Sequence, residues 1–266
     1  MSESTVNLSH ARIGENGPAL LVLHGLFGSG SNWRSIARGL ADCRSVYLLD
    51  ARNHGTSAHS EQMSYAAMAA DVEAFMAAHA IETADFIGHS MGGKTAMHLA
   101  LHHPQRISRL MIVDIAPAPS PSDHLPMIDA LIALPLERFT RRSDADKALA
   151  EHVTEPGLRA FLLQNLSATA DGFKWRINLP VLRERMPALL EFATQAATPF
   201  SGPSLFVRGE NSAYITDEHA GLISELFPAA HTIPVPDAGH WVHAEQPAAF
   251  LQIARQFLQC PRLGRT

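Results

Sequence analysis

The sequence predicts an open, doubly wound and mostly parallel α/β sheet, interrupted by an all-helical insertion. Three observations carry this expectation. Short apolar runs alternate with helical patterns along most of the chain. The alternation stops after Asp114 and resumes near residue 201. The stretch "DFIGHSMGGKTAMHLA" (85–100) passes from an apolar run through a glycine-flanked serine directly into a helix.

The strand candidates are "ALLVLHG" (19–25), "SVYLLD" (45–50), "ADFIGHS" (84–90), "RLMIVD" (109–114), "SLFVRGE" (204–210) and "HTIPVP" (231–236), with an edge strand in "TVNLSHARIG". Continuous apolar runs of this length suit strands covered on both faces. Between them, "MSYAAMAADVEAFMAAHA" (63–80) has apolar positions at helical spacing. Strands separated by helices pair in parallel through right-handed crossovers. In "PAPSPSDHLP" (117–126), four prolines in ten residues favour an extended linker. Four helical patterns follow, "MIDALIAL", "ADKALAEHV", "GLRAFLLQNL" and "PVLRERMPALLEFA". The expected division is a core of residues 1–116 and 201–266 with a helical cap at 117–200.

A chain of 266 residues fits a single α/β domain with such an insertion. Apolar residues at 46% and charged residues at 18% describe an ordinary globular protein. The net charge is −5 and no basic run is interleaved with aromatics, which argues against a nucleic-acid surface. No apolar run approaches the ~18–20 residues that cross a bilayer, and "MSESTVNLSHARIGENG" has no signal-peptide pattern. Cys43 and Cys260, the two cysteines, are too few for a disulfide framework or a cysteine-rich metal site. The expected location is the cytoplasm. Oligomeric state has no signature in the sequence.

Gly88-His89-Ser90-Met91-Gly92 fits the G-x-S-x-G elbow that presents a nucleophilic serine between a strand and a helix. Cβ atoms two residues either side of the serine would collide with the neighbouring strand and helix, hence the glycines. Ser90 Oγ then stands at a helix N-terminus, where developing negative charge is favoured. Lys94, just beyond, reads as a surface residue. Attack on a carbonyl creates an oxyanion that needs donors already in place. The Met91 N–H is one candidate donor; the Leu26 N–H, in the loop "HGLFGSGSNW" after the first core strand, is the other, with Phe27 as its neighbour. That loop lacks the lysine and glycine spacing of a phosphate-binding motif.

The base is expected at His240 in "VPDAGHWVHAEQP" (235–247), after the last strand. His243 competes but falls near the start of the next helix; His54 and His89 read as neighbours of the site. The usual place for the acid is the loop after "SLFVRG", where Gly209 is followed by Glu210, Asn211 and Ser212. Ser212 stands at the expected acidic position and cannot balance an imidazolium. Asp114, at the end of the adjacent strand candidate, is the preferred acid, because loops at the carboxyl ends of adjacent strands converge. Glu210 is the alternative acid, and Ser212 a partner of the histidine or acid. Asp50 reads as an ion-pair partner of Arg52, and Asp237 lies too near His240 to orient it.

The chain resembles the α/β-hydrolase superfamily, and within it the YbfF-type bacterial esterases and their mitochondrial eukaryotic relatives. The likeness rests on "HGLFGS" (24–29), "DARNHGTS" (50–57), "FIGHSMGGK" (86–94), "VDIAP" (113–117), "FKWRINLPVL" (173–182), "GENSAYI" (209–215) and "AGHWVHAEQP" (238–247). It implies an esterase or thioesterase acting on small-molecule substrates through Ser90, Asp114 and His240 under a helical cap. It also places "FKWRIN" near the crevice, with Trp175 as a pocket wall and Arg176 meeting a polar or anionic group. The alternative, Trp175 in the core of the cap and Arg176 in a surface ion pair, stays open. Phe27 and Trp241 complete the candidate pocket residues. The mechanism requires no metal or organic cofactor.

Two other readings use the same scaffold: carbon–carbon bond hydrolysis or perhydrolysis, and a ligand-binding receptor that retains the triad. Dehalogenase and epoxide-hydrolase chemistry is disfavoured, since it needs an aspartate at position 90.

Overall fold

Leu20 and Val22 of β2 (Ala19–Leu23) are buried on one side of a sheet, and Leu21 and Leu23 on the other. The same alternation runs through β3 (Ser45–Leu49), β4 (Ala84–His89), β5 (Ile107–Val113) and β8 (Ser204–Gly209). With β1 (His10–Ile13) and β9 (Ala230–Val235) they form a seven-stranded sheet ordered β1-β3-β2-β4-β5-β8-β9. Only β1 runs antiparallel to its neighbour. The structure is a computed structural model, and it describes residues 4–121, 124–170, 172–193 and 198–261.

Helices cover both faces, as continuous apolar strands require. On one side lie α2 (Tyr65–Ala78), α3 (Met91–His102) and α8 (Ala220–Leu226), contributing Val72, Phe75, Met97 and Leu226. On the other lie α1 (Arg34–Leu40), the short α9 (Val242–Glu245) and α10 (Pro247–Phe257), contributing Ile36, Leu40, Val242 and Phe250. Helix α2 starts where Ser64 caps it, its side chain accepting from the Ala67 N–H.

Between β5 and β8 come α4 (Leu125–Ala133), α5 (Arg142–Leu149), α6 (Pro156–Leu163) and α7 (Leu179–Leu190). The insertion is not all-helical. Two short strands, β6 (Leu166–Thr169) and β7 (Gly172–Trp175), pair antiparallel between α6 and α7. At four residues each they fall below the length at which alternation is readable, although the Asp171-Gly172 dipeptide is a hairpin signal in the sequence. The insertion has its own apolar cluster, including Ile128, Leu131, Leu149, Leu162, Leu182 and Met186, into which Phe27 and Met91 also pack. It is anchored by hydrogen bonds: Asn165 Nδ2 donates to the Phe27 carbonyl at 2.7 Å, the Asn178 N–H to the Asn53 carbonyl at 2.9 Å, and Tyr65 Oη to the Leu189 carbonyl at 2.6 Å.

Asp50 and Arg52 do not pair with each other. Asp50 accepts from the amides of Gly30 and Thr56 at 2.8 and 2.9 Å, holding two loops together. Arg52 is fully buried against Asp71, with Nε to Oδ2 at 2.6 Å.

Cys43 and Cys260, assigned no pairing from the sequence, form a disulfide with Cα atoms 5.6 Å apart. Beside it Arg255 forks onto Asp42 at 2.7 and 2.8 Å. Structural bridges persist in oxidising compartments and are rare in the cytosol. A bridge over 217 residues of chain removes much loop entropy from the unfolded state. Cys43→Ser is therefore expected to lower unfolding free energy by about 2–5 kcal/mol. In chemical denaturation, reductant should shift the wild-type midpoint and leave that of the variant unmoved.

Candidate active site

Ser90 sits between the end of β4 and the start of α3 with φ 51° and ψ −117°, a strained conformation for a side chain with a Cβ. The backbone is held there by the Ser90 N–H to the Val113 carbonyl at 3.1 Å and the Lys94 N–H to the Ser90 carbonyl at 3.0 Å. The flanking glycines are steric necessities. A Cβ on Gly88 would lie 2.5 Å from the Gly92 carbonyl oxygen, and one on Gly92 would lie 2.3 Å from that of Leu23. Ser90 Oγ makes no hydrogen bond among the described residues and is part-exposed.

Asp114 follows β5 with φ 50° and is fully buried. Its N–H donates to the Val207 carbonyl at 2.8 Å, which ties it to β8. The carboxylate accepts from three groups: His240 Nδ1 at 2.8 Å, the Gly209 N–H at 2.9 Å and the Ser212 hydroxyl. A carboxylate at Nδ1 fixes the proton there and leaves Nε2 as the acceptor. The His240 ring lies on the Tyr214 ring, centroids 3.9 Å apart and 20° from parallel. Glu210 is elsewhere: its exposed carboxylate accepts from the Asp237 N–H at 3.4 Å. The structure thus brings Asp114, Ser212 and His240 together and leaves Glu210 out.

The loop after β2 turns through residues 25–28, with the Gly28 N–H donating to the Gly25 carbonyl at 3.0 Å and Phe27 at φ 61°. His24 braces it. Its Nδ1 meets the Gly25 carbonyl at 2.8 Å and its Nε2 accepts from the Ala51 N–H at 3.0 Å, so this ring is neutral. Burial lowers its pKa, as it does for its neighbours. His54 and His243 are pushed down to about 3 by burial, His54 also by His24 and His243 also by His240. His89 is lowered well below its ordinary value by burial and then by His240, and its Nε2 meets the His240 carbonyl at 2.9 Å. His243 stacks on Trp33 at 3.9 Å, packed into the core beneath the His240 loop and not facing Asp114.

Ser90, Met91 and Leu26 line one small cavity of about 20 Å³ with Tyr65, Lys94 and Tyr214. The Met91 N–H opens α3 and so has no acceptor within the helix. Lys94 is not a surface residue. It is 1% exposed, and its Nζ donates to the carbonyls of Leu190 and Glu191 at 2.8 and 3.3 Å. Burial lowers its pKa to about 8 despite the attraction of Glu191. Helical spacing held the signal for this: position 94 is one turn after position 90, on the same face of α3.

The pocket expectations fare unevenly. Trp175 belongs to the core of the insertion, its Nε1–H donating to the Leu131 carbonyl at 3.2 Å. Arg176 reaches the Gln164 carbonyl and does not line the Ser90 cavity. Phe27 packs into the insertion at 4% exposure. Trp241, with Phe161 at 5.9 Å, lines a separate groove of about 500 Å³ between α6 and the His240 loop.

A sheet of this order, a serine on a strained strand-to-helix turn and a His–Asp pair on adjoining loops define one class of protein. The family model for the alpha/beta hydrolase fold matches residues 18–247. The chain belongs to the α/β-hydrolase family. It is similar to the sn-1-specific diacylglycerol lipase ABHD11 of Mus musculus, at 41% identity over 91% of this chain and 81% of that protein. It is also similar to esterase YbfF of Escherichia coli K12, at 37% identity over 91% of this chain and 93% of that protein. Among solved structures, a marine microorganism esterase superposes with a TM-score of 0.92 at 39% identity, over 95% of this chain and all of that one.

Proposed function

We propose that the protein hydrolyses carboxylic esters of small molecules through an acyl-enzyme on Ser90. The observation that carries this reading is the 2.8 Å contact from His240 Nδ1 to the buried Asp114 carboxylate, beside a serine held at φ 51° on the elbow. Relatives named as esterases and lipases over most of the chain support the same reaction class.

In this mechanism His240 Nε2 takes the Ser90 hydroxyl proton as Oγ attacks the carbonyl, and Asp114 stabilises the imidazolium. The amides of Met91 and Leu26 receive the oxyanion. His240 then protonates the departing alkoxide, and a water activated by the same ring releases the acid. The Ser212 hydroxyl and Gly209 amide orient the Asp114 carboxylate without touching substrate. A thioester carbonyl passes through the same steps. Residues 117–200 act as the cap over a core formed by 1–116 and 201–266.

A cavity of about 20 Å³ admits little more than one water, so long acyl groups must displace its walls and short ones fit with the least movement. Turnover of an activated ester series is therefore expected to fall as the acyl chain lengthens. Intact mass should gain one adduct with a small fluorophosphonate. A folded sample with neither adduct nor turnover would overturn the reading in favour of a receptor.

A further inference from the structure

Four cationic residues are buried among the described residues: Arg44, Arg52, Lys94 and Arg255. Three have a carboxylate within ion-pair distance: Arg44 with Asp85 at 2.8 Å, Arg52 with Asp71 at 2.6 Å and Arg255 with Asp42 at 2.7 Å. That is the rule for buried charge, since an uncompensated ion in the interior is costly. Lys94 departs from it. Its hydrogen-bond acceptors are two neutral carbonyls, with the Tyr65 and Phe192 ring faces 5.8 and 6.0 Å away. The exposed Glu191 carboxylate attracts the ammonium without forming an ion pair with it.

An ammonium carries three N–H donors, and the carbonyls of Leu190 and Glu191 occupy two. The group lines the same cavity as Ser90, one helical turn further along α3, and among the described residues no Asp or Glu lines that cavity. A cation is thus held beside the nucleophile with one donor in reserve and, among the described residues, no carboxylate at ion-pair distance.

We propose that Lys94 selects substrates whose acyl group carries a carboxylate, that is, half-esters of short dicarboxylic acids. The inference rests on the esterase reading above and names its substrate class. The carboxylate supplies an ion-pair partner while the ester carbonyl lies at Ser90 Oγ, the short acyl chain displacing the cavity walls as it enters. Acylation breaks the ester C–O bond, forms the Ser90 ester and releases the alcohol with the proton carried by His240. Water then adds to that ester, and the free dicarboxylate and the Ser90 hydroxyl are restored. Tyr65, whose hydroxyl holds the Leu189 carbonyl, keeps the adjoining end of α7 in place.

The test compares monoethyl succinate with ethyl 4-methylpentanoate, in which an isopropyl group replaces the carboxylate at nearly the same shape. A hydrogen-bonded charge pair supports a preference of roughly tenfold or more in kcat/KM for the half-ester. Lys94→Met should lower that ratio by about the same factor, and Lys94→Arg should retain part of it. Parallel losses on both esters with the ratio unmoved would make Lys94 a tether for α7 and overturn the proposal, as would a wild-type preference for the branched ester. If Lys94→Met does not fold, product inhibition of the wild type decides. Succinate inhibiting at lower concentration than 4-methylpentanoate supports the proposal, and the reverse order overturns it. Turnover without preference sinks only the Lys94 inference. No turnover and no fluorophosphonate adduct sinks the esterase reading with it.

Discussion

Ser90→Ala is expected to lower kcat/KM for any ester the protein turns over by roughly four to six orders of magnitude, with the fold intact. Loss of a serine nucleophile removes the covalent route altogether, and what persists comes from the oxyanion donors and binding alone. Stability should hardly change, for a local reason. The Ser90 hydroxyl makes no hydrogen bond among the described residues, so its removal leaves no buried group unpaired. Alanine also has the same Cβ at φ 51°, so the strain of the elbow is neither added to nor relieved. Steady-state rates and thermal melts on one preparation check both halves. Retention of more than a few per cent of activity would remove Ser90 from the mechanism.

The second large effect belongs to the acid. Asp114→Asn should reduce kcat by about 10³–10⁴-fold, because an amide NH₂ facing His240 Nδ1 forces the proton onto the wrong nitrogen and cannot balance the imidazolium. The Gly209 amide, bonded to the other carboxylate oxygen, would keep an acceptor in the amide oxygen, and the Ser212 hydroxyl, which shares its oxygen with His240, can turn to accept from the NH₂, so the defect is electronic more than structural. Glu210→Gln provides the contrast. Its carboxylate is exposed and touches the Asp237 amide at 3.4 Å, so activity should stay within about twofold of wild type. Reversal of the two results would move the acid to the later loop.

Much of this was legible in the letters because it follows from local physics. The five central strands of the main sheet each lie within or beside an apolar run, since a strand covered on both faces has no polar face to disguise it, whereas the edge strands β1 and β9 are largely exposed or part-exposed. The pairing of Asp114 with His240 could be anticipated from a carboxylate ending an apolar run beside the strand whose loop offers Ser212 instead of an acid. The failures share another cause, dependence on contacts distant in sequence. Lys94 looked solvent-facing because its acceptors, the carbonyls at the end of α7, lie 96 and 97 residues away. Trp175 was open between pocket and core because its neighbours come from α4 and the rest of the insertion. The β6–β7 hairpin was hidden by its brevity, and no spacing rule joins two cysteines 217 residues apart.

That bridge changes the topology of the molecule as well as its stability. Residues 43–260 form a single covalent ring, with β1, β2 and α1 on the arm that precedes it. A protease that cuts once anywhere within the ring, in the linker after Asp114 or in a loop of the insertion, therefore opens it without releasing a fragment. The two pieces stay joined through sulfur, and the cut becomes visible by size only after reduction. Both halves of the sheet remain tethered near their native separation, so a nicked molecule keeps its effective concentration of partner strands and can re-form the fold as a unimolecular event.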